Sequence, residues 1–385
     1  MTLEGVTTKV ADRTKSVSLV KDWILHSGIQ NQSENKKLHG AFNAWHDITN
    51  NTYPYMYSEI TGYGLSTLAH IAAEFGDNEL IRQKITDAHV WLRDVALHES
   101  GGVRTRDYYP GSSAYNEHFD FKNETLYTFD TGMVLNGLMS AYNLTKDETL
   151  LETAKKNADF LLKAQKEDGS IYAYWEAHKD EWVDRPEKWS SQSGAYHAKC
   201  AIGLYALGKV AENKSCIEAA LKLCEYALTL QHEDGRFVSF RETTNTELHP
   251  HTYTIEGLMY VAQQENNQKY KEACNRAIEW SFTLQRSKGG VSRSVHNNTP
   301  NDNERVDVLA QTLRMGAVLN QSEEKLQKLE KQLSSYQTEG FIYGFDNDGN
   351  KLSHTNAWVS MFAIQAFSCR KTQEKGEKID LINLI

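Results

Sequence analysis

Six times along this chain an amphipathic segment ends in a Gln/Gly-rich turn, crosses a polar, aromatic loop and enters a segment dense in small residues. The sharpest turns are Ala164-Gln165-Lys166-Glu167-Asp168-Gly169-Ser170-Ile171, Leu230-Gln231-His232-Glu233-Asp234-Gly235-Arg236-Phe237 and Leu284-Gln285-Arg286-Ser287-Lys288-Gly289-Gly290-Val291. Looser copies run from Leu97 to Val103, with Gly101-Gly102, and through Tyr336-Gln337-Thr338-Glu339-Gly340-Phe341. A degenerate first copy surrounds Gly28-Ile29-Gln30. A repeat of this length is one supersecondary unit that cannot bury its apolar face alone, so the copies stack. Stacking also gathers their equivalent loops on one face, where chemistry can sit.

The first segment of each unit is predicted to be an outer helix: Ser16–Ser27, Asn78–Leu97, Glu148–Ala164, Lys214–Leu230, Gln268–Leu284 and Ser322–Tyr336. Apolar residues recur at helical spacing, as in Leu151, Ala154, Ala158, Leu161 and Leu162, which gives one buried and one wet face. The second segments, Ser58–Phe75, Asp130–Leu144, Ser193–Val210, Thr252–Gln264, Asp307–Leu319 and Asn356–Ser368, are apolar nearly all round and rich in Gly, Ala and Ser. Such helices are buried on most faces and approach one another closely. Six outer and six inner helices make an all-α (α/α)6 toroid of six hairpins, expected over residues 1–371, with residues 372–385 as a loose charged tail.

Composition narrows the function. Only 5 Pro leave long helices uninterrupted. No apolar run approaches the roughly 18 residues that span a bilayer, and Met1 to Asp22 lacks the pattern of a signal peptide. The cysteines Cys200, Cys216, Cys224, Cys274 and Cys369 are odd in number and lie on apolar faces, which predicts buried thiols and a cytoplasmic setting. A net charge of -9 argues against a nucleic-acid partner. No dinucleotide fingerprint or phosphate loop is present, and Cys200 near His197 is a lone pair rather than a zinc set, so neither cofactor nor metal is expected.

The starts of the inner helices carry residues that burial alone would not select. They are Tyr57-Ser58-Glu59, Phe129-Asp130-Thr131, Tyr196-His197, His251-Thr252-Tyr253 with Glu256, Arg305-Val306-Asp307, and His354-Thr355-Asn356-Ala357-Trp358. Ser58, Asp130, Thr252, Asp307 and Thr355 also read as N-caps. Long polar groups converging on the axis point instead to a solvated, ligand-binding funnel. The loops add Arg104, Arg106, Tyr109, Tyr174, Trp175, Trp189, Arg236, Arg241 and Arg293. Aromatic faces stack on sugar rings and Arg forks bind carboxylates. With His251, Glu256, Asn356 and Trp358, these form the predicted binding set for an oligo- or polysaccharide.

Hairpins ending in Gln-x-x-Asp-Gly, followed by the inner helix Phe-Asp-Thr-Gly-Met-Val-Leu-Asn-Gly-Leu (residues 129–138), resemble the six-hairpin glycosidase-like superfamily across nearly the whole chain. That resemblance implies a toroid near glycan-pathway proteins related to uronyl hydrolases, sugar epimerases and polysaccharide lyases, and does not choose a reaction.

Hydrolysis needs two carboxyls flanking the scissile bond. Glu59 and Asp130 begin successive inner helices and fit that role, with Asp307 and Glu256 in reserve. Uronate C5-epimerisation or elimination needs a base beside a carbon α to a carboxylate, for which Tyr196, His197, His251 and Tyr253 with Arg236 or Arg241 would serve. The expected catalytic set is Glu59, Asp130, His197 and Tyr253, with hydrolysis of a uronic-acid-containing glycan ahead of epimerisation or elimination. A third reading is a toroid that binds glycan without turning it over.

Overall fold

The computed structural model describes residues 3–385, with side chains from residue 13 onward. Among these, twelve α-helices alternate between an outer and an inner ring: α1 (Leu3–His26) and α2 (Ser58–Phe75), α3 (Glu79–Trp91) and α4 (Thr128–Thr145), α5 (Glu148–Ala164) and α6 (Cys200–Val210), α7 (Lys214–Thr229) and α8 (Leu248–Glu265), α9 (Gln268–Thr283) and α10 (Val306–Val318), α11 (Glu323–Ser334) and α12 (Ala357–Glu374). Each even-numbered helix packs on the next, and α12 returns to α2, so the inner ring closes. This is the expected (α/α)6 toroid.

The repeated turn proves to be the seam between hairpins. The Gln165 amide donates to Gly169 O across its own turn, at 3.3 Å, and to Ala219 O of the next outer helix, at 2.9 Å. Gln231 and Gln285 repeat both bonds, reaching Ala273 O and Lys325 O at 2.9 Å each. Gln30 reaches Lys84 O at 2.8 Å, and Gln337 closes the circle on Ser16 O at 2.9 Å. Leu97 holds the Gln position of the second turn; there the bond reverses, and Asn157 of α5 donates to Gly101 O at 2.8 Å. Glycine is demanded twice over. Gly289 has φ +107°, and a Cβ there would lie 2.2 Å from Lys328 O of the next outer helix.

Capping separates the rings. Asn78, Asp147, Asn213, Asn267 and Ser322 accept from the first turns of outer helices, each such cap being worth about 1 kcal/mol. Inner helices α2, α4, α8 and α10 instead follow Tyr57, Tyr127, Glu247 and Arg305, with no side-chain cap. Ser58, Asp130, Thr252 and Asp307 therefore lie inside their helices rather than at N-caps, and Thr355 lies one residue before the cap Asn356. The first amides of α2, α4 and α8 donate to Thr105 O, Ala173 O and Arg293 O of the following loop. Short antiparallel strands complete that loop layer, among them Tyr55–Tyr57 with Arg106–Tyr108 and Thr125–Tyr127 with Tyr174–Glu176.

Residues 375–385 are not a loose tail. Leu381, Leu384 and Ile385 are buried, and backbone carbonyls of Asn383, Leu384 and Ile385 accept from Gln365, Asn136 and Lys199 of the inner helices. Charge density suggested looseness, but the Leu-Ile-Asn-Leu-Ile run fills the axis away from the loops. All five cysteines are buried and free. No helix among the described residues is long and apolar enough to cross a membrane.

Candidate active site

The inner helices begin around a cavity of about 180 Å³ at the loop end of the axis. Glu59 lies in the first turn of α2 and Asp130 in the first turn of α4, so both carboxyls line it from neighbouring helices. Helix N-termini favour negative charge, but burial here is the larger influence. It pushes Asp130 well above the usual carboxylate range, and the charge of Glu59 adds to the rise. Glu59 is also raised by burial, but the hydroxyls of Tyr57 and Tyr63 and the charge of Lys199 favour its ionised form. The Tyr57 hydroxyl donates to Asp130 Oδ1 at 3.3 Å, while Asp130 Oδ2 is buried without a partner. Two carboxyls with unequal proton affinities thus share one pocket.

A two-stranded ribbon builds the adjoining wall. Tyr55 pairs with Tyr108 and Tyr57 with Arg106, which places all four side chains on one face. The Arg106 guanidinium stacks 4.9 Å from the Tyr55 ring, 5.0 Å from Tyr57 and 4.2 Å from Phe119. Its Nε is buried without a hydrogen-bond partner. Among the described residues, its direct polar contact is the Tyr108 hydroxyl at 3.4 Å.

The opposite wall belongs to α8 and α10. His249 Nδ1 lies 2.8 Å from Gln311 Oε1 and 3.3 Å from Asp307 Oδ2. Both neighbours are acceptors, so Nδ1 carries the proton and Nε2 keeps its lone pair. Burial holds the ring neutral, with its pKa pushed down to about 3. Asp307 is gripped by Arg305 at 2.5 Å and by Trp358 Nε1 at 3.1 Å. Burial would raise its pKa, but Arg305, His249 and Trp358 together outweigh burial and hold it well below the usual carboxylate range.

Beneath the pocket, the Tyr63 and Tyr253 hydroxyls are 2.8 Å apart and continue from Glu59 toward the axis. Lys199 lies 4.1 Å from the Tyr253 ring and 2.8 Å from Glu256, which also pairs with Arg314. All three charged side chains are fully buried. Burial would raise Glu256, but Arg314 and Lys199 keep it ionised, while burial pushes Lys199 down to about 8. This cluster braces α6, α8 and α10 and is closed from below by Ile385.

A match to the profile of glycosyl hydrolase family 47 covers residues 105–328, more than half of the chain and including Asp130 and His249. The chain belongs to glycosyl hydrolase family 47. It is a glycan-acting enzyme, so the reading of a toroid that binds glycan without turnover gives way. No curated protein matches this family 47 chain. Among solved structures, cellobiose 2-epimerase from Bacillus thermoamylovorans is 11% identical with a TM-score of 0.73, over 94% of this chain and 100% of that one. A D-mannose isomerase is 11% identical with a TM-score of 0.72, over 94% and 97%. An unsaturated glucuronyl hydrolase specific for heparin is 13% identical with a TM-score of 0.67, over 96% and 99%. At these identities the likeness is one of fold.

Of the residues singled out in the family 47 sequence, the structure brings Glu59, Asp130, Tyr196, Tyr253, Arg106, Trp189 and Trp358 to the pocket, together with Tyr57, Phe129 and Arg305. The others do not line it. His197 is buried in a 3-10 turn, with Nδ1 accepting from Gly194 N and Nε2 3.2 Å from Thr128 Oγ1. His251 accepts from Phe237 N and contacts Ser281 on the outward side of α8. The arginines expected at the mouth are satisfied elsewhere: Arg104 by Glu124, Arg236 by Asp234, Arg241 by Asp184 and Arg293 by Phe345 O. Tyr174 packs on Tyr127, and Trp175 on His98 and Trp182. Glu256 belongs to the buried brace, Asn356 caps α12 through Val359 N, and Tyr109 lines a neighbouring cavity.

His249 was not foreseen, because α8 was expected to begin at Thr252. It begins at Leu248, with Pro250 in its first turn, where the missing N–H leaves no helical bond unmade. With that start, His249, Tyr253 and Glu256 fall at i, i+4 and i+7 on one face, and His251 falls on another.

Proposed function

We propose that this chain hydrolyses the glycosidic bond of an acidic sugar seated in the axial pocket. The observation that carries this reading is the pairing of Glu59 and Asp130 in one cavity, where burial raises both carboxyls and raises Asp130 further, so that Asp130 is the better proton donor of the two. Asp130 gives its proton to the leaving oxygen as the anomeric C–O bond breaks. Glu59 stabilises the positive charge on the ring and takes a proton from the water that attacks the anomeric carbon. Arg106, which forms no direct ion pair with a carboxylate among the described residues, supplies the complement to a uronate. The five free thiols fit a cytoplasmic setting.

His249 favours a second reading. A neutral imidazole, held by Gln311 and Asp307 with Nε2 unprotonated, is a base suited to removing a proton from a sugar carbon, as C5-epimerisation or elimination requires. Incubation with uronic-acid oligosaccharides in heavy water, read by mass spectrometry and NMR, separates the readings. New reducing ends that disappear in Glu59→Gln and Asp130→Asn support hydrolysis. Deuterium on an uncleaved sugar, or an unsaturated uronate, abolished in His249→Gln, would overturn it.

A further inference from the structure

A second cavity of about 550 Å³ opens beside the axial pocket and is lined by Trp45, Tyr53, Tyr109 and the turn Pro110-Gly111-Ser112-Ser113. The wall between the two cavities is aromatic. The half-buried Trp45 ring lies 5.2 Å from Tyr55 and 6.2 Å from Trp358, both of which line the axial pocket. Pro54, on the outer side, immediately precedes Tyr55.

Two of these aromatic walls are fixed in place. The Tyr109 hydroxyl donates to Asn43 Oδ1 at 2.9 Å and accepts from Asn31 Nδ2 at 2.8 Å. The Tyr53 hydroxyl donates to Ser27 O at 3.0 Å. Rings pinned through their hydroxyls offer faces for stacking with little ordering left to do on binding. Hydroxyls of Thr52, Ser112 and Ser113 supply polar contacts at the rim. The charge contrasts with that of the axial pocket, because among the described residues no Lys, Arg or His lines this cavity. Its single charged group, Asp47, is already engaged by Thr49 N, Asn50 N and the Asn50 amide.

From this contrast we infer that the second cavity is a subsite for an uncharged sugar residue, the neighbour of the unit held in the axial pocket, with Trp45 as the platform between them. The inference rests on the proposed hydrolysis for its direction along the chain: the axial unit is the acidic one, and the outer cavity takes the neutral leaving group. A substrate of this enzyme is therefore an oligosaccharide in which an acidic unit is joined to a neutral one.

The test compares two substrates, an aryl uronide and the same uronate joined to a neutral disaccharide, in wild type and in Trp45→Ala. The expected result is that the ratio of kcat/KM for the oligosaccharide over the aryl uronide falls about tenfold in the variant, the loss of one stacked ring. Ser113→Trp, at an exposed turn position, fills the same cavity without touching the core and is expected to lower the ratio likewise. A binding arm needs no turnover: neutral cello-, malto- and manno-trioses are titrated against Glu59→Gln, with and without Trp45→Ala, by saturation-transfer NMR. Saturation transfer lost with Trp45→Ala, alongside a wild type that cleaves neither substrate, keeps the subsite and discards the hydrolase reading. An unchanged kcat/KM ratio in both variants, or no trisaccharide sensing Trp45, overturns the subsite.

Discussion

The hydroxyl of Tyr57, one residue before α2, donates to Asp130 Oδ1 in the first turn of α4 at 3.3 Å. The same hydroxyl favours the ionised form of Glu59. One phenol thus touches both carboxyls of the proposed acid–base pair and joins two neighbouring hairpins at the point where a sugar would be cleaved.

Activity should follow a bell-shaped pH profile with both limbs shifted upward from the ordinary values of the two carboxyls. The acidic limb reports ionisation of Glu59 and the alkaline limb loss of the proton from Asp130. Burial raises both, and because the groups interact the two limbs belong to the pair. Tyr57→Phe removes an interaction that lowers both values, so both limbs should move to higher pH. Glu59→Gln and Asp130→Asn should each lower kcat by roughly 10²–10⁴. An unshifted profile in Tyr57→Phe would remove this electrostatic account.

Arg106 should govern preference for acidic sugars. A charge-assisted hydrogen bond is worth about 1.5–3 kcal/mol, so Arg106→Met should lower kcat/KM for a uronide by roughly ten- to a hundredfold relative to the matching neutral glycoside. Arg106 also opposes the rise of the Asp130 pKa, so its loss should carry the alkaline limb upward. Equal losses on both substrates would mean that Arg106 only supports the ribbon.

Much of this was legible in the sequence, and what was not has physical causes. The Gln/Gly turns reveal the hairpins because Gly101, Gly169, Gly235 and Gly289 each meet two local demands, a left-handed φ and contact with the next outer helix. Glu59 and Asp130 stand out because the turns mark where the inner helices begin. The arginines misled, since a loop Arg beside a loop Asp or Glu looks the same in sequence whether it faces a ligand or its neighbour. His249 was hidden by Pro250, and the burial of Leu381, Leu384 and Ile385 by the charged residues preceding them.

Buried histidines should make the fold acid-sensitive. Burial lowers His70 and His251 from 6.5 to about 4, and His197 and His249 from 6.5 to about 3. Each folded value lies below the unfolded one, so unfolding takes up protons as pH falls. The stability contributed by the neutral rings is complete above about pH 6.5 and is lost through pH 4 toward pH 3. Thermal midpoints should fall across that window, and His251→Gln, remote from the pocket, should flatten the slope. A slope unchanged by that substitution would assign the acid sensitivity to other groups.

The closing seam carries an amide of the same kind as those along the internal seams, beside the Arg13 ion pairs with Glu330 and Glu374, so that amide can be removed selectively. Gln337→Ala leaves Ser16 O without its side-chain donor and should cost about 1–2 kcal/mol. Hydrogen exchange should speed up in α1 and leave α7 unchanged. Gln165→Ala, which frees Ala219 O, should do the reverse. Gly289→Ala places a side chain at φ +107° and 2.2 Å from Lys328 O, and should lower stability by roughly 1–3 kcal/mol in denaturant melts. If Gln337→Ala and Gln165→Ala loosen the same helices, the seams are not independent, and the ring holds together through its inner core instead.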